Sequence, residues 1–532
     1  MASLPTRRLG SHINHLPPEL LSHIFLTLHD NSARFAWLPV TLVCKYWREV
    51  AVGYSRLWSQ VKITTGFDVE AVTAVLSRSK QLALYASVAC QESDSDLNKA
   101  LELLASHASR LHLLSMTLEL AQCSIFETHL QILGSSLKKL HLRGVSPAVA
   151  RGSLPFLDHV SLQEVRLPCL TTLQLDGIVV DAPDSLLAQL KRISLRKTEP
   201  ALSRLNNSVR DLLFPDYMRN TLAACLNVES VCLEEAFDRE SVLAWEPVHL
   251  PKLRRLNILD MCFGTRKVLR MFSVPPTAAV HVTSVPERFL APRDTLSTGC
   301  FTTALPTRGQ DEATKLRREK TRMMAFHASD ASWRVKGLIK KSTTRPATPW
   351  SASVVFPEPL DEEAREAHLC RALHELGSLV CPGLIKKLEI HVAQHLGNDY
   401  PWVSLLREFT SLQSLAVGGV SAITTLLDAA ASAATDPGEE PLARISTLKL
   451  CLHDITPALG AASRRCVEAQ QTTELKILSA SVRVHLPPGL QEEGEIYQRI
   501  VTGWLREMAI AFPFLRWGHG VVPCGVCQRV TP

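Results

Sequence analysis

Cys524-Gly-Val-Cys527 has the spacing of metal or redox chemistry, since two thiolates three residues apart can hold one side of a zinc ion or close a reducible ring. A tetrahedral site needs a second pair, or histidines at a suitable distance, and His519 is the only near candidate. The pair is half a site. The other cysteines stand singly, many in leucine-rich segments, as at Cys90, Cys123, Cys169, Cys225, Cys232 and Cys262. A long chain without a regular cysteine framework reads as cytoplasmic or nuclear, with reduced and mostly buried thiols. Cys44 falls on the apolar face of a predicted helix, a core position more than a nucleophile's. No Gly-x-Gly-x-x-Gly follows a strand, and no Walker loop, Gly-x-Ser-x-Gly or His-Glu-x-x-His occurs. Catalytic, cofactor-binding and metal-ligating residues are accordingly expected to be none.

The chain has 532 residues, enough for about two to four folding units. Apolar residues at 46 % and charged residues at 21 % are globular values, so most of it is expected to fold. Aromatics are only 6 % and leucine is abundant, which points to a core of aliphatic rows. The net charge of +6 is mild for this length, and no nucleic-acid partner follows from it. The densest basic run, Lys315 to Lys320, has a nuclear-localisation flavour but reads first as a solvated helix face. Met1 to Gly10 is polar and carries no secretory signal, and no apolar run of about eighteen residues suggests a membrane span.

Binding chemistry is written near the N-terminus. Leu16-Pro17-Pro18-Glu19 opens a helix, with Pro18 at the first helical position and Glu19 at the positive end of the dipole. Leu20, Leu21, Ile24, Phe25 and Leu28 follow as an apolar stripe, which is expected to end before His29. Leu16 can pack back on Leu21 as a hydrophobic staple. A second helix is predicted from Pro39 to Gly53, its apolar face carrying Val40, Val43, Cys44, Trp47 and Val50. Ser55 to Trp58 then turns the chain into a β-like run, Val61 to Ile63. So small a unit cannot hide all of Leu20, Phe25, Trp37, Trp47 and Trp58, so part of this apolar surface needs a partner or the next domain.

The Leu-Pro start, the Ile-Phe pair closing the first helix, Val-Cys and Trp-Arg in the second and Leu-Trp near the end occur in order. This stretch resembles the F-box family, most of all the large fungal set of F-box-like proteins. The likeness covers about a tenth of the chain. It implies docking on the Skp-type adaptor of cullin–RING ubiquitin ligases. By that resemblance the contact falls on Leu16, Pro17, Leu20, Leu21, Ile24 and Phe25, with Leu42, Val43 and Trp47 adding to it or supporting it. The competing assignment makes these core residues of a helical cap, which suits Trp47 and Val50 best.

A helix over Val69 to Ser79 and a strand over Gln81 to Ala86 are predicted next, marking the passage into a second region. From about residue 97 the motif Leu-x-x-Leu-x-Leu recurs, at Leu137 to Leu142, Leu170 to Leu175, Leu190 to Leu195 and Leu253 to Ile258. It returns at Ile385 to Ile390, Leu412 to Val417 and Ile445 to Leu450. Neighbouring units lie roughly 20 to 35 residues apart, against about 20 to 29 in a leucine-rich repeat. In each unit the last two apolar side chains point to one side of a strand and the residue between them points out. Those outward residues, His141, Gln174, Ser194, Asn257, Glu389, Ala416 and Lys449, are too mixed to name a ligand.

The expected fold class is α/β: an N-terminal helical F-box followed by an irregular leucine-rich-repeat solenoid of parallel strands and helices. The expected divisions are a flexible terminus at 1–12, an F-box-like domain at 13–63, repeats at 64–277 and 361–517, and a tail at 518–532. Between them, 278–360 is proline-punctuated, and is either a strand-bearing insertion or a partly flexible loop. The implied function is a substrate-recognition subunit of a Skp–cullin–F-box ubiquitin ligase, itself non-catalytic, with the adaptor, through it cullin, and an unknown protein substrate as partners. No cofactor, nucleic acid or membrane is implied. The alternative is a leucine-rich-repeat scaffold without ligase function, and an enzyme within 278–360 has no supporting constellation.

Overall fold

The computed structural model describes residues 16–31, 38–90, 93–145, 158–196, 217–234, 247–261, 271–275, 278–285, 321–328, 332–339, 350–355, 369–392, 402–434, 445–452, 456–472, 479–484 and 515–519, with 269, 502 and 506. Trp37, Cys262, the basic run at 315–320, the expected helical start at 361–364 and the Cys524–Cys527 pair lie outside the described residues. The chain divides into two compact units, Met1–Val228 and Glu229–Pro532.

The first unit opens with helices α1 (Pro18–Asn31), α2 (Val40–Val43) and α3 (Lys45–Gly53), then a 3-10 turn over Ser55–Trp58. α1 runs past the stop expected before His29. The single helix predicted from Pro39 is broken at Cys44, whose backbone is extended (φ −158°, ψ 171°). Its thiol sulfur accepts a hydrogen bond from the backbone N–H of Trp47 at 3.5 Å, so Cys44 caps α3 in the place where serine or aspartate is usual.

A parallel ladder follows, built from β1 (Gln60–Thr64), β2 (Leu84–Ala89), β3 (Leu111–Leu118), β4 (Lys139–Gly144), β6 (Thr172–Asp176) and β8 (Arg192–Arg196), each paired with the next. β5 (Asp158–Ser161) and β7 (Ile178–Asp181) pair separately. Parallel neighbours need a crossover, and α4 (Val69–Arg78), α5 (Asp94–Ala105), α6 (Cys123–Leu133) and α7 (Asp184–Gln189) lie in these connections. The register aligns the leucine motifs: Leu140, Leu173 and Ile193 form one row, Leu142, Leu175 and Leu195 the next. All six are buried. One strand cannot hide such a face, so aligned rows stabilise each other, at about 1.5–3 kcal/mol for each fully buried aliphatic side chain.

The second unit starts with β9 (Ser230–Glu234), β11 (Arg255–Met261) and β13 (Ala279–Val285) in parallel, with β10 (Val248–His249) and β12 (Phe272–Ser273) paired apart. It ends with β17 (Lys387–Val392), β18 (Ser414–Gly418), β19 (Thr447–Leu452), β20 (Ser479–Val484) and β21 (Leu515–His519), again parallel. Leu388, Leu415 and Leu448 align, as do Ile390, Val417 and Leu450, and all six are buried.

The proline-rich segment carries strands. β14 (Thr321–Ala328) and β15 (Ser332–Ile339) form a hairpin, and β15 pairs antiparallel with β16 (Trp350–Val355). β16 then lies parallel beside β13, and β14 parallel beside β17. The three strands enter the ladder in reverse chain order, β13-β16-β15-β14-β17. Three residues between β14 and β15 allow only an antiparallel return.

One outward position is corrected. Ala416 is buried, its methyl group standing in register between the longer side chains of Glu389 and Lys449. Of the described cysteines Cys90, Cys123, Cys225, Cys451 and Cys466 are buried and Cys169 is exposed.

Candidate docking surface

The helices that open the first unit enclose a small core of Leu21, Phe25, Val40, Ala51, Leu57 and Trp58, all buried. Leu16, Leu38, Tyr46, Trp47 and Val50 pack around it, half-buried. The phenol of Tyr46 donates to the Leu16 carbonyl at 2.7 Å, tying the entry of α1 to α3. The indole N–H of Trp58 donates to the Ala51 carbonyl at 2.9 Å. On the far side α4 covers part of this surface, with Val75 against the core and the Arg78 guanidinium 4.6 Å from the centre of the Trp58 ring.

The nine sequence-assigned residues separate by burial. Leu21 and Phe25 have no exposed surface, so they hold α1 in place and present nothing to a partner. Trp47 lies partly buried against Phe25. Leu16 is half-buried and Pro17 exposed. Leu20 is 53 % exposed, Ile24 38 %, Leu42 76 % and Val43 57 %. Leu28, in the predicted stripe but not assigned to the contact, is 45 % exposed as well.

Helical geometry explains the division. Leu20, Ile24 and Leu28 follow at four-residue steps and form one ridge. Leu21 and Phe25 form a second ridge about 100° further round the helix. The break at Cys44 separates the exposed Leu42 and Val43 from the packed face of α3. Isolated apolar residues at the surface need no explanation, but a contiguous row such as Leu20, Ile24 and Leu28 beside a completed core is a candidate interaction surface.

Burial, aided by the Asp96 carboxylate, raises the Cys90 thiol to about 11, and burial raises Cys225 to about 12. Among the described residues no group of histidine, cysteine or carboxylate side chains has the arrangement of a metal site. A cleft of about 620 Å³ in the second unit is lined by His374, Glu375, Gly377, Ser378, Pro382, Gly383 and Glu408. Glu375 is ion-paired with Arg371 at 3.6 Å, one helical turn away. Glu408 packs on Gly377 where a Cβ would collide with its carboxylate. No helix among the described residues is long and apolar enough to cross a membrane.

Residues 13–64 match the F-box-like family, so the chain carries an F-box-like domain that ends with β1, the first strand of the ladder. No curated protein matches the chain.

Proposed function

We propose that this chain is a substrate receptor of a Skp–cullin–F-box type ubiquitin ligase. Leu16, Pro17, Leu20, Ile24, Leu42 and Val43 dock on the Skp-type adaptor, and Leu28 extends the contact. Leu21, Phe25 and Trp47 support it from beneath. The observation that carries this reading is the row of exposed aliphatic side chains along α1 and α2, inside the stretch that matches the F-box-like family. A helix presented to a groove uses such spaced anchors.

Behind it the aligned parallel strands act as an irregular leucine-rich-repeat surface that holds a protein substrate. The receptor works by proximity: it raises the effective concentration of a substrate lysine near the charged conjugating enzyme, and needs no catalytic group of its own. The test is affinity purification with mass spectrometry on the full chain beside a chain lacking residues 13–64. Adaptor and cullin with the first and neither with the second supports the proposal. Other partners without adaptor in both leaves a scaffold as the function and removes the ligase.

A further inference from the structure

The outward side of the first unit's ladder has an order that the chain alone does not display. Strand register places Lys139, Thr172 and Arg192 in one row across β4, β6 and β8, and Arg143, Asp176 and Arg196 in another. Lys139, Arg143, Arg192 and Arg196 are exposed. They stand at the corners of a rectangle, about 13 Å along the strands and about 10 Å across them by ordinary sheet spacings. The row between holds Ser115, His141, Gln174 and Ser194, short polar groups that can donate or accept hydrogen bonds. Asp176 is the single carboxylate at these outward positions, and it is ion-paired with Arg143 at 3.5 Å. Among the described residues of these three strands Lys139, Arg143 and Arg192 face one carboxylate, an excess of two positive charges, and Arg196, which makes an interaction of its own, stands at the fourth corner.

We infer that this face binds an extended, acidic segment of the substrate, rich in aspartate or glutamate. The inference rests on the ladder being the substrate-holding part of the receptor. Three of the four cations are arginines, whose planar fork matches a carboxylate in two parallel hydrogen bonds. Carboxylates on one side of an extended peptide recur about every 7 Å, so acids two and four residues apart reach cations across and along the face. The middle row can hydrogen-bond the peptide's backbone. A nucleic acid fits worse: the outward positions of β4, β6 and β8 hold no phenylalanine, tyrosine or tryptophan on which bases could stack in succession, and the one imidazole there, that of His141, is half-buried. His141, at the centre, is held below the usual imidazole range mainly by burial, with Lys139 adding to it.

The experiment uses the purified full chain and a fluorescent peptide alternating glutamate with threonine, followed by anisotropy. Binding should weaken as salt rises, and K139E/R192E/R196E should weaken it by roughly tenfold or more. These side chains are exposed, and K139Q/R192Q/R196Q with a circular-dichroism melt guards against misfolding. No preference for this peptide over its lysine–threonine counterpart overturns the inference. Equal or tighter binding of single-stranded RNA also overturns it. Adaptor co-purification is read on the same samples: adaptor bound without peptide binding refutes only the acidic-segment inference, and peptide bound without adaptor refutes only the docking reading.

Discussion

The ring of Phe25 lies 5.3 Å from that of Trp47, the two planes tilted at 56°, and this contact fixes how α1 rotates on α3. With Phe25 and Leu21 turned inward, Leu20, Ile24 and Leu28 have no place but the outside. The same pairing thus completes the core and exposes the ridge.

Leu20→Asp combined with Leu42→Asp should abolish co-purification with the Skp-type adaptor while the melting temperature stays near wild type. Both side chains are more than half exposed, so the charges meet water in the free chain and a partner's apolar groove in the complex. Retained adaptor in a pull-down would sink the assignment of these residues.

Phe25→Ala should act differently. It removes a fully buried ring and its contact with Trp47, at a cost of about 3–5 kcal/mol. The expected result is loss of folded helical signal on mild heating, with adaptor binding lost only in step with it. Normal stability together with lost adaptor would show that Phe25 reaches the partner directly.

Arg110→Ala should loosen the passage from α4 into β2. The guanidinium donates to the Leu76 carbonyl at 2.8 Å, the Ser79 hydroxyl at 2.7 Å and the Lys80 carbonyl, so it closes the C-terminal end of α4. Lys80 itself has a positive φ of 51°, a conformation that needs such support. A loss of about 1.5–3 kcal/mol is expected in denaturant unfolding, and an unchanged midpoint would contradict this role.

Gly419→Ala should destabilise the second unit. Gly419 has φ +100°, outside what an L side chain adopts readily, and a Cβ there would strike the Val392 carbonyl. The backbone strain alone is about 1–3 kcal/mol. Hydrogen exchange should report it first at the start of α10 (Val420–Ala434), where the Ile423 N–H donates to the Gly419 carbonyl at 3.0 Å; the helices α8 (Leu376–Leu379) and α9 (Trp402–Glu408) precede it in this unit.

Stability should fall on mild acidification. His107, His112, His141 and His281 are each held below 6.5, first by burial and then by neighbouring cations: Arg110, Lys138, Lys139, and the group Arg255, Lys336 and Arg334 respectively. Below the ordinary value the unfolded chain takes up protons that the folded chain refuses, so stability is full above about pH 6.5 and declines beneath it. His141→Gln should flatten part of that decline in melts taken from about pH 7.5 to 5.5, and an unaltered slope would exclude His141 as a contributor.

Local chemistry reads well from the chain where one residue's neighbours are its sequence neighbours. The leucine spacing placed strands β4, β6, β8, β11, β17, β18 and β19, because alternation across a pleat needs no distant partner. The Leu-Pro start and the apolar stripe likewise placed α1, and with it the F-box-like stretch. Three features needed the tertiary structure. The division of the stripe into Leu21 and Phe25 within and Leu20, Ile24 and Leu28 without depends on where Trp47 packs, twenty-two residues beyond Phe25. The break at Cys44 was hidden because valine, cysteine and lysine in sequence carry no strong stop signal, and a thiol is an unusual cap. The basic face arises because strand register brings residues 139, 172 and 192 side by side, and register is set by rows of buried leucines acting together. The sequence by itself determined which side of each strand is apolar. Which outward residues stand next to one another was decided only when the strands paired.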